Sequence, residues 1–211
     1  LDAAGRYFPT FLCTDVPTKD TPATDRKVGI DLGVETLATL SDGRKIGNPR
    51  HLKKYERKLA REQRRLSRRK GTRRGEKPSG RYLKQRKRGA RIHAKIADAR
   101  TDTLHKVTTM LADENQVLCM EDLNAKGMMR NCHLAKAVTD ASFGEFARLL
   151  EYKCAERGRS LVKIGRFYPS SKTCSGCGHR LDALPLSVRS WDCPACGAHH
   201  DREANAARNI L

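Results

Sequence analysis

The distribution of positive charge constrains this chain more than any other feature. Residues 44–95 hold 23 Lys and Arg against three acids, Glu56, Glu62 and Glu76, a net of +20. The other 159 residues carry 20 basic and 21 acidic side chains. Such a segment cannot enter an apolar core, because each buried unpaired charge costs several kcal/mol. It must stand out as a solvated body of its own, leaving a near-neutral remainder to fold around a core. Twenty uncompensated charges also repel one another until a polyanion neutralises them. A nucleic-acid backbone fits that requirement, with an affinity that falls steeply with salt. A membrane surface, a disordered tail and a coiled-coil protein contact are the blander alternatives.

Periodicity gives the cationic segment a shape. From Pro49, Leu52, Tyr55, Leu59 and Leu66 recur at a spacing near 3.5, a narrow apolar seam on a basic helix. The run Gly71–Gly80 reads as a flexible tip. A second helix follows from about Arg81 to Ala112, with Ile92, Ile96, Ala99, Thr103, Val107 and Met110 on one face, roughly 45–50 Å long at 1.5 Å per residue. The pair, spanning about 50–114, is expected as an antiparallel hairpin, apolar inside and basic outside. Lys53, Lys54, Arg57, Arg61, Arg64, Arg65, Arg68, Arg69, Arg81, Lys84, Arg88, Arg91 and Lys95 are the expected phosphate contacts, which position a nucleic acid without reading bases. Tyr55 and Tyr82 are too few aromatics for base stacking to dominate.

The remainder has the length of one domain with a core and a small appendage. No stretch approaches the ~20 apolar residues of a membrane span, and the first residues lack a signal pattern. Arg6–Cys13 reads as a strand entered midway and residues 15–25 as a linker, so 1–26 is expected to be the end of a preceding domain. Val28–Leu32 and Thr36–Leu40 read as strands, with Ser41-Asp42-Gly43 turning the chain into a return strand at Arg44–Ile46. Gln116–Met120 and Leu161–Ile164 are further strands. Between them, after a Gly/Met/Asn loop, Ser142-Phe-Gly-Glu145 has a capping-box spacing. The helix it opens would bury Phe143, Phe146, Leu149, Leu150 and Cys154 and stop at Gly158. A last helix spans Glu203–Leu211.

Carboxylates sit where these elements end. Asp31 closes the first strand, Glu121 follows the Gln116–Met120 strand, and Asp201 and Glu203 open the last helix. An isolated Asp in a strand is more often a satisfied structural residue. Several converging carboxylates instead need a cation, since a buried carboxylate without compensation is expensive. Their hard oxygens suit Mg²⁺, and two such ions can promote phosphodiester hydrolysis. The order of elements matches an α/β, ribonuclease H-like mixed sheet over 27–168 and 199–211. Its first and fourth strands are neighbours and its last helix crosses them, with the basic helical hairpin as an insertion.

The cysteines carry a second site. Cys174, Cys177, Cys193 and Cys196 form two C-x₂-C pairs 15 residues apart, the spacing of a closed, structural four-thiolate zinc site. It makes 169–198 a zinc-ribbon insertion, with Trp191 and Leu186 expected against the knuckles. His179, His199 and His200 are expected at the surface or on phosphates. Cys13, Cys119, Cys132 and Cys154, set among apolar neighbours, are expected as buried reduced thiols, the usage of an intracellular protein.

Four motifs in order carry a family resemblance: Gly29-Ile-Asp31-Leu-Gly33, Glu121-Asp-Leu-Asn124 with Lys126-Gly-Met-Met129, Pro169-Ser-Ser-Lys-Thr-Cys-Ser-Gly-Cys177, and Asp201-Arg-Glu-Ala-Asn-Ala-Ala-Arg-Asn-Ile210. The chain resembles the OrfB/TnpB transposon-associated proteins, RNA-guided relatives of type V CRISPR effector nucleases. The resemblance implies a RuvC-type, Mg²⁺-dependent DNA endonuclease domain with an embedded zinc module, in a prokaryotic cytoplasm at the nucleoid. Its partners would be DNA and a guide RNA, with the basic hairpin beside their heteroduplex, recognised by shape and backbone. Asp31 and Glu121 match the first two catalytic carboxylates. At the third position the family usually has Asp two residues before the Asn of Asn-Ala-Ala; here Glu203 stands there, and Asp201 is the other candidate. A silent nucleic-acid-binding module that keeps the zinc ribbon and the hairpin is the competing reading. Family members carry an N-terminal recognition region before the nuclease half, and the sequence is expected to be N-terminally incomplete, entering at the last strand of that region.

Overall fold

A computed structural model describes residues 2–14, 21–69 and 77–211. Two units are recognised, Leu1–Pro17 with Arg50–Thr103, and Thr18–Pro49 with Leu104–Leu211. The elements in order are β1 (Lys27–Leu32), β2 (Thr36–Leu40), β3 (Lys45–Gly47), α1 (His51–Arg69), α2 (Gly80–Glu114), β4 (Val117–Glu121), α3 (Ala125–Met128), α4 (Cys132–Ala141), α5 (Phe143–Glu156), β5 (Ser160–Ile164), β6 (Ser190–Asp192), β7 (His199–Asp201) and α6 (Arg202–Ile210). No helix among the described residues is long and apolar enough to cross a membrane.

The second unit is built on a five-stranded mixed sheet in the order β3-β2-β1-β4-β5. β1 pairs antiparallel with β2 and parallel with β4, and β5 extends the parallel side. The two-residue repeat of a strand divides its side chains between faces. Val28, Ile30, Ala38, Leu40, Leu118 and Met120 enter one core with Leu104 and Leu111 of α2, Val138 of α4, and Phe143, Phe146, Leu149 and Leu150 of α5. Gly29, Asp31, Thr39, Cys119 and Glu121 alternate with these residues and belong to the opposite face. There the chain ends: Cys119 Sγ lies 3.9 Å from the Leu211 carbonyl oxygen, and Thr39 Oγ1 donates to Glu203 at 3.1 Å.

The approach of α6 to β1 is unusually close. A Cβ on Gly29 would lie 1.9 Å from the Ala207 carbonyl oxygen, so only glycine fits. Ala204, Ala206 and Ala207, all buried, are the matching small residues on the helix. On the other face, Lys153 of α5 is buried without a carboxylate partner. Its ammonium donates to the His105 carbonyl oxygen (2.7 Å), Thr108 Oγ1 (2.9 Å) and Thr109 Oγ1 (2.6 Å), using all three protons to tie α5 to α2.

In the first unit, contacts between α1 and α2 run in opposite directions. His51 meets Thr103 at 2.9 Å, Leu59 packs with Ile92 and Ile96, and Arg69 donates to Gln85 at 2.9 Å. The seam contains a polar member between Leu59 and Leu66. Glu62 is buried, accepts from Gln85 Nε2 at 2.6 Å and pairs with Arg65 at 3.0 Å. Most of the expected tip, residues 71–76, lies outside the described residues, as do 15–20 of the expected linker.

Four expectations are corrected. Residues 6–13 form no strand; Tyr7, Phe8, Phe11 and Leu12 stand 64–97% exposed with no ladder to join. The loop after β4 contains α3 and α4, capped by the Asn124 and Asn131 side chains. Ser142 is not a capping box: at φ 54° it ends α4 in the left-handed region, and its hydroxyl donates back to the Thr139 carbonyl oxygen instead of capping α5. Cys13 and Cys132 are exposed, so only Cys119 and Cys154 of that group are buried.

Substituting Gly29→Ala should force α6 off β1 and cost about 3 kcal/mol, the upper range for overpacking. Urea unfolding measures it. A variant within about 0.5 kcal/mol of the parent would show slack at this contact.

Candidate functional site

Parallel pairing of β1 with β4 sets Ile30 opposite Met120, so Asp31 and Glu121 follow on adjacent strands. Thr39, the cross-strand partner of Asp31 on β2, donates its hydroxyl to Glu203 on the first turn of α6. Three carboxylates thereby line one open cleft of about 480 Å³, with Val34, Leu134, Tyr168, Leu186, Arg166, Arg189 and Arg202 also on its walls. Burial, followed by the negative charges of Glu121 and Glu203, pushes Asp31 up to about 7. The charge arrangement calls for a cation.

Asp201 is placed differently. Its carboxylate caps α6, accepting from the Ala204 amide at 2.9 Å, and takes a 2.7 Å ion pair from Lys45. Partial burial opposes ionisation, but these donors hold Asp201 below the usual carboxylate range. It does not line the cleft. Of the two candidates on this helix, Glu203 therefore shares a space with Asp31 and Glu121. Lys45 and Arg189 approach Glu203 only at 3.9 and 3.7 Å.

The carboxylate oxygens are not drawn into one ion's shell. Among the described residues, only Cys174, Cys177, Cys193 and Cys196 form a group of three or more candidate ligands whose atoms all lie within 4.8 Å of one another. Cys174–Cys196 and Cys177–Cys193 are separated by 3.7 and 3.6 Å between sulfurs. A tetrahedral shell with ligand bonds of about 2.3 Å has edges of about 3.8 Å, so this donor set fits a thiolate-bound metal. Two matching knuckles build it. Gly178 and Gly197, each following the second cysteine of its pair, adopt φ of 77° and 72°, and their amides donate to the Cys174 and Cys193 carbonyls. The strands β6 and β7 pair antiparallel, so the module's hairpin runs on to Asp201.

Trp191 packs on Cys174 and Cys193 as expected, whereas Leu186 is 80% exposed and does not. His200 is likewise no surface residue. It is buried against Trp191, with Nε2 3.0 Å from Cys174 Sγ. His179 and His199 are exposed, His199 pairing with Asp192 at 2.7 Å.

Two groups of site residues went unread in the sequence. Ser170 donates to Glu121 at 2.6 Å. Asn205 and Asn209 together hold the Ser170 and Thr173 carbonyls. Their i, i+4 spacing, which places two amides on one helix face, was the available signal. On the hairpin, all thirteen expected phosphate contacts are exposed. Lys58, Arg65, Arg88, Arg91 and Lys95 surround a groove of about 320 Å³ between α1 and α2, with Tyr55 and Glu62.

Residues 11–132 match the OrfB_IS605 family, described as "Probable transposase", and residues 143–210 match the Cas12f1-like TNB domain. A Streptomyces pristinaespiralis protein named "Putative RNA-guided DNA endonuclease" is 49% identical over 210 residues, covering 100% of this chain and 50% of that protein. A protein of the same description from Mycobacterium tuberculosis is 37% identical over 197 residues, 88% of this chain and 41% of its own length. The fold is similar to a chain in the cryo-EM structure of the Cas12f1-sgRNA-target DNA complex, with a TM-score of 0.59 and 19% identity, over 87% of this chain and 48% of that one. The chain belongs to the OrfB_IS605 family. It spans about half the length of the curated relatives it matches.

The raised Asp31 makes stability depend on pH. Between the ordinary carboxylate value and about 7, the folded chain keeps a proton that the unfolded chain has lost, so stability falls as pH rises through that window. In buffer without Mg²⁺, Asp31→Asn should gain on the parent from pH 4 to pH 8, by at most roughly 4 kcal/mol. Urea unfolding at both pH values checks this; a constant difference would mean that Asp31 is not perturbed.

Proposed function

We propose that this chain is the catalytic half of an RNA-guided DNA endonuclease, with a ribonuclease H-like (RuvC) sheet whose carboxylate cleft hydrolyses phosphodiesters. One observation carries the reading: Asp31, Glu121 and Glu203, from three separate elements, line the same cleft. The relatives' names and the complex of RNA and DNA in the similar structure support the choice of substrate and guide. The sheet order β3-β2-β1-β4-β5, with α6 across β1, supports the fold assignment.

The cleft's candidate ligands are oxygens, with no His or Cys in its lining, which favours Mg²⁺ over softer metals. Asp31, Glu121 and Glu203 would hold it. Bound there, Mg²⁺ supplies Lewis acidity to phosphodiester oxygens and an acidified water. The protein's own residues do the rest. Close packing of α6 on β1 holds Glu203 at the distance set by Thr39, which a longer side chain than Asp can span. Arg166, Arg189 and Arg202 line the same space and can take phosphate oxygens on either side of the reacting bond. The cysteine module, with zinc as the ion its four thiolates select, is a structural clamp with no open coordination position. On the hairpin, Lys53, Lys54, Arg57, Arg61, Arg64, Arg65, Arg68, Arg69, Arg81, Lys84, Arg88, Arg91 and Lys95 grip the phosphate backbone of a heteroduplex without reading its bases.

Labelled single-stranded and duplex DNA, incubated with the purified chain, with and without a guide RNA matching the DNA, and with either Mg²⁺ or chelator, tests this function. Asp31→Asn, Glu121→Gln and Glu203→Gln should each lower Mg²⁺-dependent cleavage by more than about a hundredfold, beyond the usual cost of an outer-shell partner. Asp201→Asn should stay within about tenfold of the parent. Cleavage that survives Asp31→Asn would refute the assignment, and DNA binding without any cleavage would favour a silent binding module.

A further inference from the structure

The hydrogen bond from Ser170 Oγ to Glu121 Oε1, 2.6 Å long, joins the two candidate metal centres. Ser170 is nearly buried, and it lies four residues before Cys174, the first thiol of the cluster. The loop between them is held along its length. Asn209 Nδ2 donates to the Ser170 carbonyl at 2.7 Å and to the Thr173 carbonyl at 2.6 Å. Asn205 Nδ2 reaches the Thr173 carbonyl at 2.7 Å, and Asn205 Oδ1 accepts from the Ser175 amide at 2.9 Å. Asn205 is fully buried, so these bonds are shielded from competing water. At the far end, Cys174 Sγ meets His200, on the strand that leads directly into α6 and Glu203.

The loop is thus fixed by the cysteine cluster at one end and by α6 along its middle, and it presents one hydroxyl to one oxygen of Glu121. A donor on one carboxylate oxygen fixes the plane of the group and leaves the second oxygen free to face a cation. Among the described residues, Ser170 is the side chain that hydrogen-bonds the Glu121 carboxylate, whereas Glu203 is held by Thr39.

We propose that Ser170 is a positioning residue for Glu121, and that metal bound at the four cysteines sets the cleft's affinity for a divalent cation through the Ser170–Cys174 loop. This rests on the nuclease reading, because it concerns the same carboxylates. Thiolate coordination orders the loop, Asn205 and Asn209 register it against the helix that bears Glu203, and Ser170 transmits that register to Glu121. Loss of the soft-metal site then weakens the hard-metal site without removing any of its ligands.

The test is isothermal titration of Mn²⁺ into the whole chain, carrying one thiolate-bound zinc, for the parent, Ser170→Ala, Asn209→Ala and Asp31→Asn. Ser170→Ala should bind Mn²⁺ about tenfold more weakly than the parent while retaining one zinc per chain and an unchanged near-ultraviolet spectrum from Trp191. Asn209→Ala, which removes no group from the cleft, should weaken Mn²⁺ binding severalfold, and it decides the question if Ser170→Ala does not fold. Parental Mn²⁺ affinity in both variants would overturn the proposal and leave the nuclease reading standing. Equal weak binding by the parent and Asp31→Asn would instead remove the carboxylate site, and this proposal with it.

Discussion

Everything in the second unit depends on how closely α6 lies against β1. Gly29 offers no Cβ, the Ala207 carbonyl occupies the space, and Glu203 is carried to within 3.1 Å of Thr39. A helix one side chain farther out would leave Glu203 short of the cleft that Asp31 and Glu121 line. The glycine beside Asp31 and the alanines after Glu203 are therefore one device seen from two sides. Backbone contact sets the distance, and the carboxylates inherit it.

The site that results carries electrostatic stress. Burial and two neighbouring anions lift Asp31 to about 7, whereas Asp201, three ångströms or less from Lys45 and the Ala204 amide, is relaxed below the usual range. That contrast separates a carboxylate pressed by neighbouring anions from one engaged by a helix cap and a lysine. The arginines of the cleft walls do not quench the stress; Arg189, the nearest to Glu203, stays at 3.7 Å. In the first unit the balance is reversed. Among the described acids there, Glu62 alone is buried, fixed by Gln85 and Arg65, while thirteen basic groups face solvent. The first unit thus exposes basic groups along its helices, while the second gathers three carboxylates and three arginines around one cleft.

Elements with strong periodicity were legible from the sequence. Val28–Leu32, Thr36–Leu40 and the buried face of α5 follow directly from apolar spacing, and the two C-x₂-C pairs carry their geometry in their intervals. That Asp31 and Glu121 would share a neighbourhood was also readable, since both end apolar strands. What escaped depends on tertiary partners. Arg6–Cys13 is rich in apolar and aromatic residues like a strand, yet no ladder forms there. Ser142 matches a capping pattern, yet the tight turn from α4 into α5 imposes φ 54° and turns its hydroxyl away. His200 and Ser170 look like ordinary polar residues until the fold buries one against a thiol and the other against a carboxylate.

The proposal on which the rest depends is that Asp31, Glu121 and Glu203 hold divalent cations in a common cleft. Anomalous diffraction from crystals of the chain soaked in Mn²⁺ tests it most directly. Manganese density bounded by those three side chains is expected, with Asp201 still paired to Lys45. Manganese found only beside Asp201, or only at the cysteines, would contradict it.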